Sequence, residues 1–317
     1  MRSSARWLAS GFALLLASAA PRVALATDVS DELSAGAVGS SGLRGAAPFV
    51  SDRLGGAFDV NDALSFSADA TFTRYFHTKD AYGENILQLA GATDYSPDEH
   101  WSFGADIRGS PRSTARVQDS AGNTVKYWSS LLGGGASVEY DTAGDGALET
   151  IADSYVGLTD YRTTQPSKRT TQPSMGMKQT PSLLQWRASL GITEVLWQDT
   201  EAGLTGTYYG YSDDPIDSGY VGESVFGRDG VGEPLEPLRW SIRPALRQRF
   251  GVLRLGAYFQ YGRFFNDVGY SLVTAVKATV KASDAIRLWA QIGYQRDAGA
   301  GESLTIPWGS LGVRVVL

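Results

Sequence analysis

Strict two-residue alternation, repeated in segments of about ten residues, constrains this chain more than any other feature. In "ALSFSADATFTRY" (63–75), Leu64, Phe66, Ala68, Ala70 and Phe72 share one face, and Ser65, Ser67, Asp69 and Thr71 share the other. "HWSFGADIRG" (100–109) sets Trp101, Phe103, Ala105 and Ile107 against Ser102, Gly104, Asp106 and Arg108. "LLQWRASLGIT" (183–193), "VLRLGAYFQYG" (252–262), "SLVTAVKATVK" (271–281) and "AIRLWAQIGYQ" (285–295) follow the same rule. Side chains alternate across a strand and wind around a helix with a period of 3.6, so this pattern specifies strands. The 37 glycines, 8 tryptophans and 15 tyrosines favour the same structure.

The connections between these segments alternate in length. Short ones lie at Val60-Asn61-Asp62, 96–99, 141–146, 197–201, 249–251 and 282–284; longer ones lie at 110–124, 162–181 and 212–234. An up-and-down array then carries its short turns at one end and its longer loops at the other, the asymmetry of a closed membrane barrel. Thirteen such strands run from about Phe49 to Leu317. A weak pattern in "DELSAGAVGSSG" (31–42), with Leu33, Ala35, Ala37 and Gly39 in phase, supplies the even fourteenth. The predicted fold is all-β, a closed antiparallel transmembrane barrel of about 14 strands, with 12 as second choice.

"LRWSIRPALRQRF" (238–250) tests the reading, because three of its arginines stand four apart, as on a helix face. Pro244 would break an interior helix. It is also unwelcome inside a strand, so a bulge is expected in this segment. The two-residue period places Leu238, Trp240 and Ile242 in one outward row and the arginines on the inner face.

Residues 1–26 have basic Arg2 and Arg6, an apolar run from Trp7 to about Leu16, and Ala24-Leu25-Ala26 at the end. This is the layout of a secretory signal peptide cut after Ala26, leaving 27–317 as one barrel domain. The formal charge of −6 gives no reason to expect a nucleic-acid partner. With no cysteine, disulfides and thiolate metal sites are impossible. No cofactor or metal pattern is found; "DDPID" (213–217) lacks the spacing of a calcium loop.

The leader, the alternating strands, the unequal connections and the final strand "SLGVRVVL" together resemble a Gram-negative outer-membrane β-barrel of the porin-like kind. The resemblance implies outer-membrane localisation, lipid around the barrel, and recognition of the C-terminal strand by the barrel-assembly machinery. The usual terminal residue of that class is Phe, and here it is Leu317. A secreted β-sandwich would alternate similarly but explains the unequal connections and the mid-strand arginines poorly.

Residues in the inward phase are the candidates for function. Acidic ones come early in the chain: Asp69, Asp106, Glu139 and Asp153. Basic ones come late: Arg187, Arg239, Arg243, Arg247, Arg254, Lys277, Arg287 and Arg314. Closing the sheet would set one sign on each half of the wall, a transverse field across a lumen. Tyr258 and Trp289 are candidates for a constriction. The expected function is passive passage of small polar or anionic solutes. The alternatives are a non-conducting barrel acting through its 162–181 and 212–234 loops, or a rim enzyme using His77. Catalysis is not expected, since only His77 and His100 could serve as histidine bases and no wider motif surrounds them.

Overall fold

The computed structural model describes residues 27–39, 47–76, 85–118, 124–142, 148–164, 183–197, 199–212, 238–299 and 302–317. Among them run fourteen strands: β1 (Thr27–Val38), β2 (Ala47–Asn61), β3 (Leu64–Tyr75), β4 (Asn85–Tyr95), β5 (Trp101–Gln118), β6 (Thr124–Asp141), β7 (Leu148–Thr164), β8 (Leu183–Trp197), β9 (Thr200–Tyr211), β10 (Leu238–Phe250), β11 (Leu253–Phe264), β12 (Gly269–Lys281), β13 (Ile286–Gly299) and β14 (Glu302–Val316). Each pairs with its sequence neighbours, and β1 pairs with β14 to close the barrel. Every pairing is antiparallel. Closure removes the free edges that an open sheet would expose.

The weak fourteenth segment is a real strand. Leu33 opposes Val313 on β14 and Asp52 on β2, so this N-terminal strand seals the barrel. One expected loop is mostly strand. β5 continues to Gln118 and β6 begins at Thr124, so the 110–124 connection shrinks to residues 119–123. A register shift between Ser110 and Ser113 carries the ladder past Pro111, as a bulge accommodates a residue with no N–H. The leader (1–26), His77, most of the 162–181 loop and nearly all of the 212–234 loop lie outside the described residues.

The outer surface is apolar in mid-strand. Leu33, Ile107, Leu132, Leu190, Ile242, Leu246, Ile292 and Leu311 are all exposed there. An apolar outer face on a closed barrel suits hydrocarbon, because every strand amide is already paired. Aromatic rings bound this zone. Near the long-loop ends of β8 to β12, Trp186 packs on Tyr208, Trp240 on Tyr261, and Tyr261 on Tyr270, with centroids 5.6–6.0 Å apart. Near the short turns, Trp101 packs on Tyr140 at 4.7 Å. On β8, Trp186 and Trp197 stand about 28 Å apart along the axis, at ~3.3 Å per residue and ~40° tilt. That matches the ~25 Å apolar band of such barrels with a ring at each edge.

The bulge expected in the 238–250 segment is present, at its start and away from Pro244. Pro244 stays in the strand, opposite Leu204. The register breaks between Leu238 and Trp240 instead. Arg239 is the extra residue, and the extra residue reverses the phase before it. Leu238 therefore turns inward, 3% exposed, opposite Phe264. The outward row is Trp240, Ile242, Pro244 and Leu246, without Leu238.

Candidate functional site

The barrel interior is packed on one side. Phe49, Tyr75, Ile86, Val273, Ala275 and Trp308 form a buried apolar cluster from β2, β3, β4, β12 and β14, with Val38 and Tyr258 against it. It lies in the long-loop half of the barrel. Two tryptophans lie flat on the inner wall, each over a glycine on the neighbouring strand. Trp308 covers Gly293, its direct ladder partner, and Trp289 covers Gly312. A Cβ on Gly312 would come within 2.6 Å of the Trp289 ring, so these positions admit only glycine while the rings lie as they do.

Open space lies beside this cluster and shares β2, β3, β4 and Tyr258 with it. A chamber of about 860 Å³ is lined by residues of β2 to β11. That volume is ample for a small solute. Its charged lining comprises Arg53, Arg108, Arg187, Arg243 and Arg247, with Asp69, Asp94, Asp106, Asp153 and Glu201. Five guanidiniums thus face five carboxylates, and hydroxyls fill the gaps. Ser189, Thr207 and Ser241 occupy successive strands by register, with Thr207 donating to Ser189 at 3.2 Å.

Several of these charges neutralise one another. Arg108 reaches Asp106 at 2.9 Å on the same strand, and Arg53 reaches Asp69 across β2 and β3 at 3.3 Å. Glu201 bridges two strands, with Arg254 at 3.0 Å and Arg247 at 3.5 Å. Among the described residues, Asp94, Asp153 and Arg243 have no ion-pair partner. The Arg243 guanidinium lies 3.9 Å over the Tyr258 ring, a cation–π contact that fixes its plane.

The residues singled out by sequence therefore fall into four places. Asp69, Asp106, Asp153, Arg187, Arg243, Arg247 and Tyr258 line the chamber. Glu139 is in the same inward phase nearer the short turns, opposite Ile151, and is absent from the lining. Arg254, Lys277, Arg287 and Arg314 face inward on β11 to β14, beyond the chamber. Trp289 accompanies them under Lys277, whose Nζ is 5.1 Å from the ring, and so does not constrict the chamber. Arg239 does not belong to the inner wall. Carried outward by the bulge, it pairs with Asp267 in the β11–β12 turn and bonds to Tyr208 on the outer face.

Sequence reading missed Glu201 and Arg53. Glu201 stands in the short "WQDTE" connection, yet β9 starts at Thr200 and turns it inward. Arg53 precedes the paired glycines Gly55 and Gly56, where the apolar alternation fades. His100, the other histidine, is in the short turn after β4. Its Nδ1 meets the Asp141 carbonyl at 2.8 Å. In that turn Asp98 accepts the His100 and Trp101 N–H groups at 2.9 and 2.8 Å, which holds its carboxyl below the ordinary aspartate range.

No protein-family model and no curated protein matches this chain. Solved structures do. The chain is similar to the CymD monoaromatic hydrocarbon channel, at 9% identity and a TM-score of 0.58, over 92% of this chain and 88% of that one. It is similar to a Pseudomonas aeruginosa FadL homologue at 10% identity and a TM-score of 0.51, over 91% and 90%. It is also similar to the Pseudomonas putida toluene transporter TodX at 10% identity and a TM-score of 0.50, over 93% and 90%. The fold is that of an outer-membrane β-barrel.

Proposed function

We propose that this protein is a passive outer-membrane channel for small polar solutes, with anions favoured on the basic side of its wall. The observation that carries this reading is the off-centre chamber, wet in character and lined by charges and hydroxyls. Solutes would diffuse along the β2–β11 side, past Arg243 and Arg187 on one flank and Asp153 and Asp106 on the other. The outward apolar band, the ring belts and the leader-like residues 1–26 support an outer-membrane setting, with the C-terminal strand presented to the assembly machinery.

Planar-bilayer recording tests the proposal. Discrete conductance steps are expected. Arg243→Glu with Arg247→Glu should move the reversal potential towards cations. A purified, folded barrel that never conducts would overturn the channel reading.

One observation favours a second reading. The interior cluster of Phe49, Tyr75, Ile86, Val273 and Trp308 is apolar, and two of the similar structures are named for monoaromatic hydrocarbon and toluene. On this reading an apolar solute would enter through the cluster. Uptake of toluene into proteoliposomes, unaffected by the Arg243 and Arg247 changes, would select it over the first.

A further inference from the structure

The inner wall at the short-turn end holds cations directly opposite cations. Lys281 on β12 faces Arg287 on β13, and Arg287 faces Arg314 on β14. On the two strands that follow around the barrel, Arg249 on β10 faces Arg254 on β11. Like charges directly opposite in a ladder destabilise a sheet. An unbroken row of three across consecutive strands therefore calls for a counter-anion.

The groups nearby supply only part of it. Asp284 meets Lys281 at 2.6 Å, and Glu201 takes Arg254. Arg314 donates to the Ser30 hydroxyl at 3.2 Å. Glu32 ends the row, opposite Arg314 and Arg53. Among the described residues Arg287, at the centre, has no ion pair, and it is exposed. The row lies in the inward phase, so it faces the mouth of the lumen and not lipid.

We propose that Lys281, Arg287 and Arg314 form a polyanion site at the short-turn mouth, which takes a phosphate-bearing solute of the diphosphate class. Adjacent strands lie about 4.8 Å apart, so the three side chains span about 10 Å. A single carboxylate offers two oxygens and one charge and satisfies one guanidinium. A diphosphate offers several charged oxygens and, with a hydrogen bond at each end and the long side chains converging on it, bridges the row. Each arginine fork engages two phosphate oxygens at once. The site goes beyond the channel reading, because binding here does not require conduction.

Titration of the full folded barrel with sodium pyrophosphate at low ionic strength tests it, followed by calorimetry and by the emission of Trp289 beside Lys277. One site is expected, with affinity falling steeply as salt rises. Arg287→Gln with Arg314→Gln should weaken binding at least tenfold. Lys281→Gln alone should weaken it several-fold and leaves both strand interiors intact. Arg296→Gln, in the outward phase of β13, should change nothing. In bilayers, pyrophosphate added on the short-turn side should block current at lower concentration than on the other side. Phosphate presented on lipid headgroups should give no signal that depends on Arg287. The proposal is overturned if pyrophosphate fails to bind at millimolar concentration, or if the double variant binds within twofold of the unaltered protein. A barrel that binds but never conducts refutes the channel reading alone. One that conducts without binding refutes this site alone.

Discussion

Replacing Glu201 with glutamine removes one charge from the chamber and keeps the side-chain shape. Glu201 holds Arg247 at 3.5 Å and Arg254 at 3.0 Å. Without its charge, five guanidiniums would face four carboxylates. A unit charge acts on an ion ~6 Å away with about 0.7 kcal/mol at the dielectric constant of water. The sign is opposite for potassium and chloride, so their difference changes by about 1.4 kcal/mol, or roughly tenfold in permeability ratio. Screening reduces this at 0.1 M salt, where the Debye length is about 10 Å, and nearly abolishes it at 1 M, where it is about 3 Å. The assay is the zero-current potential in a potassium chloride gradient, at both salt levels. The expected result is a shift towards anions of up to about tenfold at low salt, shrinking at high salt. Arg239→Gln, on the outer face, serves as the silent control. No shift at either salt level, or one towards cations, would show that the Glu201 carboxylate does not face the conducting path. Folding should change little, because all three side chains are at least a quarter exposed and such pairs contribute about 1 kcal/mol or less.

Three further outcomes are expected. Trp308→Ala should destabilise the barrel by about 3–5 kcal/mol, since the ring is 5% exposed inside the apolar cluster; denaturant unfolding measures the loss, and single-channel conductance should rise as the packed side opens. Ile292→Arg, at an exposed mid-strand position on the outer face, should cost about 2–4 kcal/mol in lipid; equal stability of both proteins in reversible refolding would argue against a membrane-facing band there. The depressed carboxyl of Asp98 makes its turn acid-sensitive. Its stabilisation is complete above the ordinary aspartate range and is lost as pH falls through the lowered value. In Asp98→Asn that acid step should vanish from hydrogen exchange at the His100 and Trp101 amides.

Most of the fold was legible because a barrel wall is written in period two. Leu184, Trp186, Leu190 and Ile192 announce both the strand and its outer face. The final strand does the same with Leu311, Val313 and Val315. Even β1 could be found, from the phase of Leu33, Ala35 and Ala37. The failures are local breaks in that period. One extra residue at Arg239 sends Leu238 inward and Arg239 outward, and nothing in "PLRW" marks which residue is surplus. Pro244 signals a bulge in its segment without locating it, since its own missing N–H is tolerated opposite Leu204. At 110–118 serine, proline and arginine resemble loop chemistry, yet the ladder continues to Gln118.

The inner wall was less legible, for a different reason. Alternation tells which side chains point inward, but not how far along the axis they lie or what occupies the centre. Asp153 and Glu139 share a phase, and only the stagger of β6 against β7 puts one in the chamber and the other nearer the turns. The apolar cluster was invisible for the same reason. Phe49, Tyr75 and Ile86 stand near the long-loop ends of β2 to β4 and meet Trp308 of β14 only when the barrel closes. Their convergence fills one side of the lumen, pushes the open chamber towards β2–β11, and leaves the basic residues of β12 to β14 outside it. The predicted two-signed wall is therefore divided along the axis as well as around it. Opposite charges balance inside the chamber, and surplus positive charge collects at the short-turn mouth. Glu201 on β9 and Arg287 on β13 stand near the same end of the barrel but four strands apart, so charge changes at the two should combine additively.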